Sequence, residues 1–304
     1  GEIRVGAYDV EVQNASRTNW VDGELVITYL NTDTSVTKSF TLPQATTGRL
    51  LAVGGGGAGG QDQKQGYSAN YGLPGGGGAG GLVINDGQDF EASTYAVSVG
   101  AGGIAVEREL VDITENNKTT KTWVPKSYGS GNNGADTIVK KGSTAIVTAK
   151  GGGGGGRREA GKNGGSGGGG SASYSSRTVQ AKVGGSGTSG QGNSGGKGSH
   201  AKFGAGGGGA GGSGSATTAA ETSADPTTKN VDGSGAGGPG KTCDITGESL
   251  EYARGGAGGV PRVYPYYYFK GGVCYYTKKQ PSDSDKKNFD GGKYFWVEAS
   301  DGKP

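Results

Sequence analysis

RLLAVGGGGAGG, residues 49–60, is an apolar, strand-like run that passes straight into a block of glycines. The heptad GGGGAGG inside it recurs, at Gly54–Gly60, Gly75–Gly81 and Gly206–Gly212, and 70 of the 304 residues are glycine. A residue without a Cβ loses the most entropy on ordering. Blocks of this length therefore stay as flexible coil, or they are held because backbones pack closer than side chains would allow. Clear strand patterning between the blocks favours the second reading.

Ordered glycine has few regular conformations open to it. No strict Gly-X-Y period marks a collagen, and an α-helix is disfavoured by about 1 kcal/mol per glycine relative to alanine. Polyproline II remains: about three residues per turn, no internal hydrogen bonds, and N–H and C=O groups directed outward. Buried groups of that kind need partners, and neighbouring helices of the same type supply them only if glycine lets the axes approach. The expected fold is mainly β plus irregular structure: an antiparallel β module with a bundle of glycine-rich polyproline II helices and little or no α-helix.

Three regions follow from composition: a β module over 1–53 with a possible exchange arm, a glycine-rich polyproline II and β region over 54–259, and an aromatic segment over 260–304 with a terminal strand. In the first, Ile3 and Val5 alternate, then Tyr8, Val10 and Val12, with a one-residue slip at Gly6 or Ala7 that reads as a bulge. Further strands are expected at Glu24–Leu30, Thr37–Leu42, Arg49–Val53, Leu82–Asn85, Thr94–Val99, Thr137–Val139 and Ala145–Ala149. Val260–Pro304 holds 11 of the 24 aromatic residues, including Tyr266, Tyr267, Tyr268 and the run Tyr294 to Val297.

Composition also narrows function. A net charge of +3, from 30 basic and 27 acidic residues without a basic aromatic stripe, gives nucleic acid little to bind. No run approaches the roughly 18 apolar residues of a membrane span. The chain has no methionine, and a start at Gly1 reads as removal of an export signal. In an exported chain Cys243 and Cys274 form one disulfide; the other reading is two free buried thiols.

Two motifs imitate nucleotide sites. Gly235–Thr242 matches the phosphate loop GxxxxGK[ST], but a polar stretch precedes it and Cys243–Gly247 is poor helix material. Gly54, Gly56 and Gly59 form a GxGxxG pattern after a strand, with no helix following. His200 lies in a Gly/Ser stretch and reads as a loop residue rather than a base. One histidine and two cysteines do not build a standard zinc site. Glu107, Glu109, Asp112 and Glu115 read as solvated charges. No catalytic residue, metal ligand or cofactor is expected. Asn14 and Asn117 head sequons, which matter only where the export route glycosylates.

Positions 49–259 resemble the glycine-rich domain of bacterial surface proteins and phage tail-fibre adhesins. The carrying pieces are RLLAVGGGGAGG (49–60), PGGGGAGGLV (74–83), FEASTYAVSVGAGG (90–103), AIVTAKGGGGGG (145–156), GGSGTSGQGNSGG (184–196), FGAGGGGAGG (203–212) and YARGGAGG (252–259). The resemblance implies packed polyproline II helices flanked by β structure, with binding or scaffolding as the role. The insertion over 107–126 and the aromatic tail depart from it.

The expected function is a non-enzymatic extracellular or cell-surface structural protein, a subunit of a self-assembling fibre held by strand addition between copies. Its interface residues would be Ile3, Val5, Tyr8, Val10, Val12, Tyr294 and Trp296. The alternative is an adhesin, cellular or phage-borne, that presents Tyr266, Tyr267 and Tyr268 to a receptor or glycan.

Overall fold

A computed structural model describes residues 1–5, 8–32, 35–61, 73–105, 108–115, 118–125, 129–175, 178–199, 203–217, 235–259, 266–270 and 273–277. Its elements are β1 (Glu2–Val5), β2 (Tyr8–Gln13), β3 (Arg17–Val21), β4 (Glu24–Thr28), β5 (Lys38–Leu42), β6 (Thr46–Val53), β7 (Leu82–Phe90), β8 (Ser93–Ser98), β9 (Arg108–Glu115), β10 (Lys118–Pro125), β11 (Thr137–Lys141), β12 (Thr144–Ala149), β13 (Ser173–Ser175), β14 (Thr178–Gln180), β15 (Lys241–Cys243), β16 (Leu250–Tyr252), β17 (Tyr266–Lys270) and β18 (Val273–Thr277). All the strand pairings are antiparallel, and no helix occurs among the described residues.

Six strands form one sheet in the order β1-β2-β5-β8-β11-β12. Alternation along them places Val10, Val12, Leu42, Tyr95, Val139, Val147 and Ala149 in a common core with Leu50, Ala52 and Phe90 of the β6–β7 ribbon. Phe40 stacks on Tyr95 with centroids 5.0 Å apart, and Phe90 meets Tyr95 edge-on at 5.3 Å. Such offset and T-shaped contacts add to the area that these rings bury. β1 and β2 pair antiparallel with Val5 opposite Tyr8, and the expected slip at Gly6 or Ala7 lies outside the described residues. The insertion over 107–126 contains a ribbon, β9 against β10, with Glu115 opposite Lys118.

Strands of this module run on directly into glycine. β6 leads into 54–60, 75–81 into β7, β8 into 100–103, 131–136 into β11, and β12 into 151–156. Beyond each junction the hydrogen-bond pattern changes from a ladder to a period of three. Gly54, Gly57 and Gly60 donate to the carbonyls of Gly81, Gly78 and Gly75, while Gly55, Ala58 and Gln61 donate to those of Ala135, Asn132 and Gly129. Gly75, Gly78 and Gly81 in turn donate to Gly156, Gly153 and Lys150, and Gly204, Gly207 and Ala210 donate to Gly259, Gly256 and Ala253. Successive residues thus face different neighbours.

The segment 74–81 is buried along its whole length. Around it lie 54–60, 150–156, 166–169, 205–208 and 256–259, each bonded to it through the backbone. Conformational freedom does not explain the glycines here, since the positive-φ glycines, Gly23, Gly142, Gly190 and Gly247, all lie outside the heptads. Space explains them. A Cβ on Gly77 would overlap the Gly57 carbonyl, one on Gly80 the Gly54 carbonyl, and one on Gly207 the Gly77 carbonyl.

Candidate functional site

β1 forms one edge of the six-stranded sheet, with Glu2 opposite Glu11, Ile3 opposite Val10 and Arg4 opposite Asp9. The Gly1 nitrogen donates to the Val12 carbonyl at 2.6 Å and the Val12 N–H donates back to the Gly1 carbonyl at 2.7 Å. Hydrogen-bonded and non-hydrogen-bonded pairs alternate in an antiparallel ladder. Ile3 and Val5 therefore bond to β2, whereas the backbone N–H and C=O of Glu2 and Arg4 point away from the sheet. Ile3 and Val5 pack half-buried against the core, and the side chains of Glu2 and Arg4 are exposed. Arg4 reaches Asp9 at 3.5 Å.

The other candidate interface residues divide sharply. Val10 and Val12 are core residues, 3% and 6% exposed, on a strand paired on both sides. Tyr8 is half-buried beside them. Tyr294 and Trp296 lie outside the described residues, as do His200 and Asn117. Tyr266, Tyr267 and Tyr268 sit on β17, paired with Thr277, Tyr276 and Tyr275 of β18. Cys243 is buried on β15 opposite Leu250 and has no disulfide among the described residues; the side chain of Cys274 lies outside them.

At the opposite edge the sheet is tied to the glycine region by side chains that the sequence reading did not single out. Gln191 donates from Nε2 to the Thr148 carbonyl of β12 at 2.9 Å and accepts from the Lys150 N–H at 2.8 Å. The buried Thr137 hydroxyl donates to the Val53 carbonyl at 2.7 Å and accepts from the Gly100 N–H at 2.9 Å. Asp136 accepts from the Gly151 N–H and from Lys150 Nζ, both at 2.8 Å. Burial pushes the Asp136 carboxyl up, but these bonds and the lysine charge outweigh it and leave the pKa below its ordinary value. Polar residues flanking glycine blocks where a strand begins or ends are the signal that could have found them.

A cleft of about 400 Å³ opens beside this joint, lined by Asn133, Asp136, Lys150, Asn163, Ser186 and Thr188. Its polar groups serve the fold: Asn133 accepts from Gly154 N–H and donates to the Asn163 carbonyl, Asn163 accepts from Ser186 N–H, and Thr188 donates to the Gly164 carbonyl. Farther along, Arg49 binds Asp244 at 2.5 Å and Asp86 at 2.9 Å, which raises its own pKa and lowers that of Asp244.

The nucleotide-like motifs are absorbed in the same way. Gly235 and Gly238 donate to Gly204 and Gly207, and Lys241 and Thr242 continue into strand β15 rather than a helix. The amides of Gly54, Gly55 and Gly57 are likewise taken by neighbouring carbonyls. Asn14 has a φ of 53°, and its side-chain amide donates to the Thr37 carbonyl at 2.6 Å, which ties the end of β2 to the start of β5. Among the described residues no group of three or more His, Cys, Asp or Glu side chains could share a metal ion. No helix among them is long and apolar enough to cross a membrane.

A family model described as a glycine-rich domain matches residues 32–292. No curated protein and no solved structure matches the chain.

Proposed function

The chain belongs to the glycine-rich domain family, and on that premise we propose that it is a non-enzymatic extracellular structural protein, a subunit of a surface fibre joined to its neighbours by strand addition. The observation that carries this reading is β1 at the edge of a well-packed six-stranded sheet, where Glu2 directs its backbone donor and acceptor away from β2. Such an edge is a ready template for another strand.

Behind that edge stands a body suited to transmit load. The three-residue steps of its hydrogen bonds match a helix of three residues per turn, and we read the glycine region as a bundle of polyproline II helices. Each helix is held by several neighbours, so no part of it slides without breaking backbone bonds. The aromatic segment 260–304 is proposed as a second contact region.

Negative-stain electron microscopy of the native protein, with size exclusion at several concentrations, tests the reading. Filaments that grow with concentration support it. A chain that stays monomeric over a wide range overturns it in favour of an adhesin, and binding to cell surfaces and glycans is then the measurement to make. The edge variant is Glu2→Pro, which removes an outward N–H and no bond to β2. Val10 is unsuitable as a probe, because a charge there would break the core.

A further inference from the structure

We propose that Gln191 decides which edge of the six-stranded sheet is open to assembly: its side-chain amide stands in for a strand on β12 and keeps that edge from pairing with β12 of a second copy of this chain. This assignment rests on the assembly reading above only for the use of β1. It adds the residue that closes the opposite edge.

β12 is the last strand of the sheet, and its sequence, Thr144-Ala145-Ile146-Val147-Thr148-Ala149, has no charge, no proline and no glycine and is mostly β-branched. A six-residue segment of that kind on a bare edge is a hazard for pairing between chains. The Thr148 carbonyl points away from β11, since it accepts from Gln191, and the Lys150 N–H points the same way. These are groups that an incoming strand would use. Nearer the hairpin, the register with β11 shifts between Val139 and Lys140. Such a bulge bends an edge away from partners, so the flat part left to protect is the part that Gln191 covers.

Gln191 takes both outward groups. Nε2 donates to the Thr148 carbonyl at 2.9 Å, and Oε1 accepts from the Lys150 N–H at 2.8 Å. A primary amide carries the same donor and acceptor as a peptide group, so the side chain reproduces backbone pairing without offering a new edge. The main chain of Gln191 is held as firmly. Its N–H donates to the Thr188 carbonyl at 3.0 Å, and its carbonyl accepts from the Leu82 N–H at 2.9 Å. The first of these bonds closes the turn 188–191, where Gly190 has a φ of 77°, the positive value that the third residue of a type II turn requires. Thr188 anchors the turn in its place, with N–H and hydroxyl both donating to the Gly164 carbonyl. From the other side, a Cβ on Gly81 would overlap Gln191 Oε1.

The test uses the full chain carrying Glu2→Pro, which silences the β1 edge, so that association through β12 is read by itself in sedimentation velocity over a concentration series. In that background Gln191→Ala should lower the concentration at which dimers form by about tenfold or more, because an incoming strand no longer displaces two hydrogen bonds. Gln191→Met, which keeps the stem and loses the amide, should do the same and covers the case in which alanine unfolds the turn. Adding Ala145→Glu should return either variant to monomer, since a charge on an edge strand opposes pairing. Ala145 is exposed and opposite Lys140, so a glutamate there pairs favourably within the chain. Thr137→Val, which weakens the same joint without uncovering β12, should stay monomeric. Hydrogen exchange at the Lys150 N–H should be faster in the monomer of Gln191→Met and slow again in its dimer. Loss of the amide without any gain in association overturns the proposal and leaves the fibre reading in place. Equal association of Thr137→Val, or association that Ala145→Glu does not reverse, also overturns it. A wild type that is monomeric throughout, with dimers gained on losing the amide, upholds this inference and overturns the fibre.

Discussion

Gly56 and Gly57 are neighbours in one heptad, yet their surroundings differ completely. A Cβ on Gly56 would meet nothing nearer than the Gly78 carbonyl oxygen at 3.9 Å, whereas one on Gly57 would overlap the Gly153 carbonyl. Gly56 is exposed. Gly56→Ala should therefore be neutral, or stabilising by a few tenths of a kcal/mol through the unfolded chain. Gly57→Ala should cost about 3 kcal/mol or more, because a carbonyl of the adjoining segment must move. Urea denaturation of the two variants measures the contrast, and equal losses would refute the packing argument. Ala58, 9% exposed in the same heptad, already carries its Cβ inside the lattice. Nothing in GGGGAGG tells these positions apart. Burial of each Cα depends on which segments lie beside it, and those come from distant parts of the chain.

At the scale of elements, the joint between sheet and glycine region rests on single side chains. Thr137, 6% exposed at the start of β11, bonds two backbone groups of other segments through one hydroxyl. Thr137→Val keeps its shape and strands both groups, and should cost about 2 kcal/mol or more, while Thr137→Ser should recover most of it. The measurement is a denaturant midpoint for each variant. Asp136 makes the joint pH-dependent. Its folded-state pKa lies below the ordinary 3.8, so its contribution is full above that value and fades as pH falls through the lowered one. Wild type should lose stability from pH 5 to pH 2 more steeply than Asp136→Asn, which denaturation across that range checks; parallel curves would refute the role. The alternation of residues along β5, β8, β11 and β12 was plain in the sequence. β9 and β10 were not legible, because Leu110, Val111 and Ile113 alternate poorly among carboxylates. The joint residues were missed because each acts across a gap in sequence, Thr137 on Val53 and Gln191 on Thr148.

The whole molecule couples a small apolar core to a lattice held by backbone hydrogen bonds. Unfolding exposes much peptide and little hydrocarbon there, and polar exposure lowers the heat capacity where apolar exposure raises it. Calorimetry should give a heat-capacity increment per residue clearly below the usual ~12 cal/mol/K; an ordinary value would mean that more apolar surface is buried than the lattice suggests. By itself the sequence determined that the protein is built from antiparallel strands and close-packed glycine, because periodicity and the missing Cβ are local properties. It also marked β1 as a strand with alternating charged and apolar residues. Only the tertiary structure decided which glycines are indispensable, which polar side chains close the joint, and that Val10 and Val12 belong to the core while Glu2 and Arg4 face outward. The reason is that all of these depend on which backbone lies within hydrogen-bonding or van der Waals reach. In a chain with so many identical residues, the local sequence carries almost no record of that.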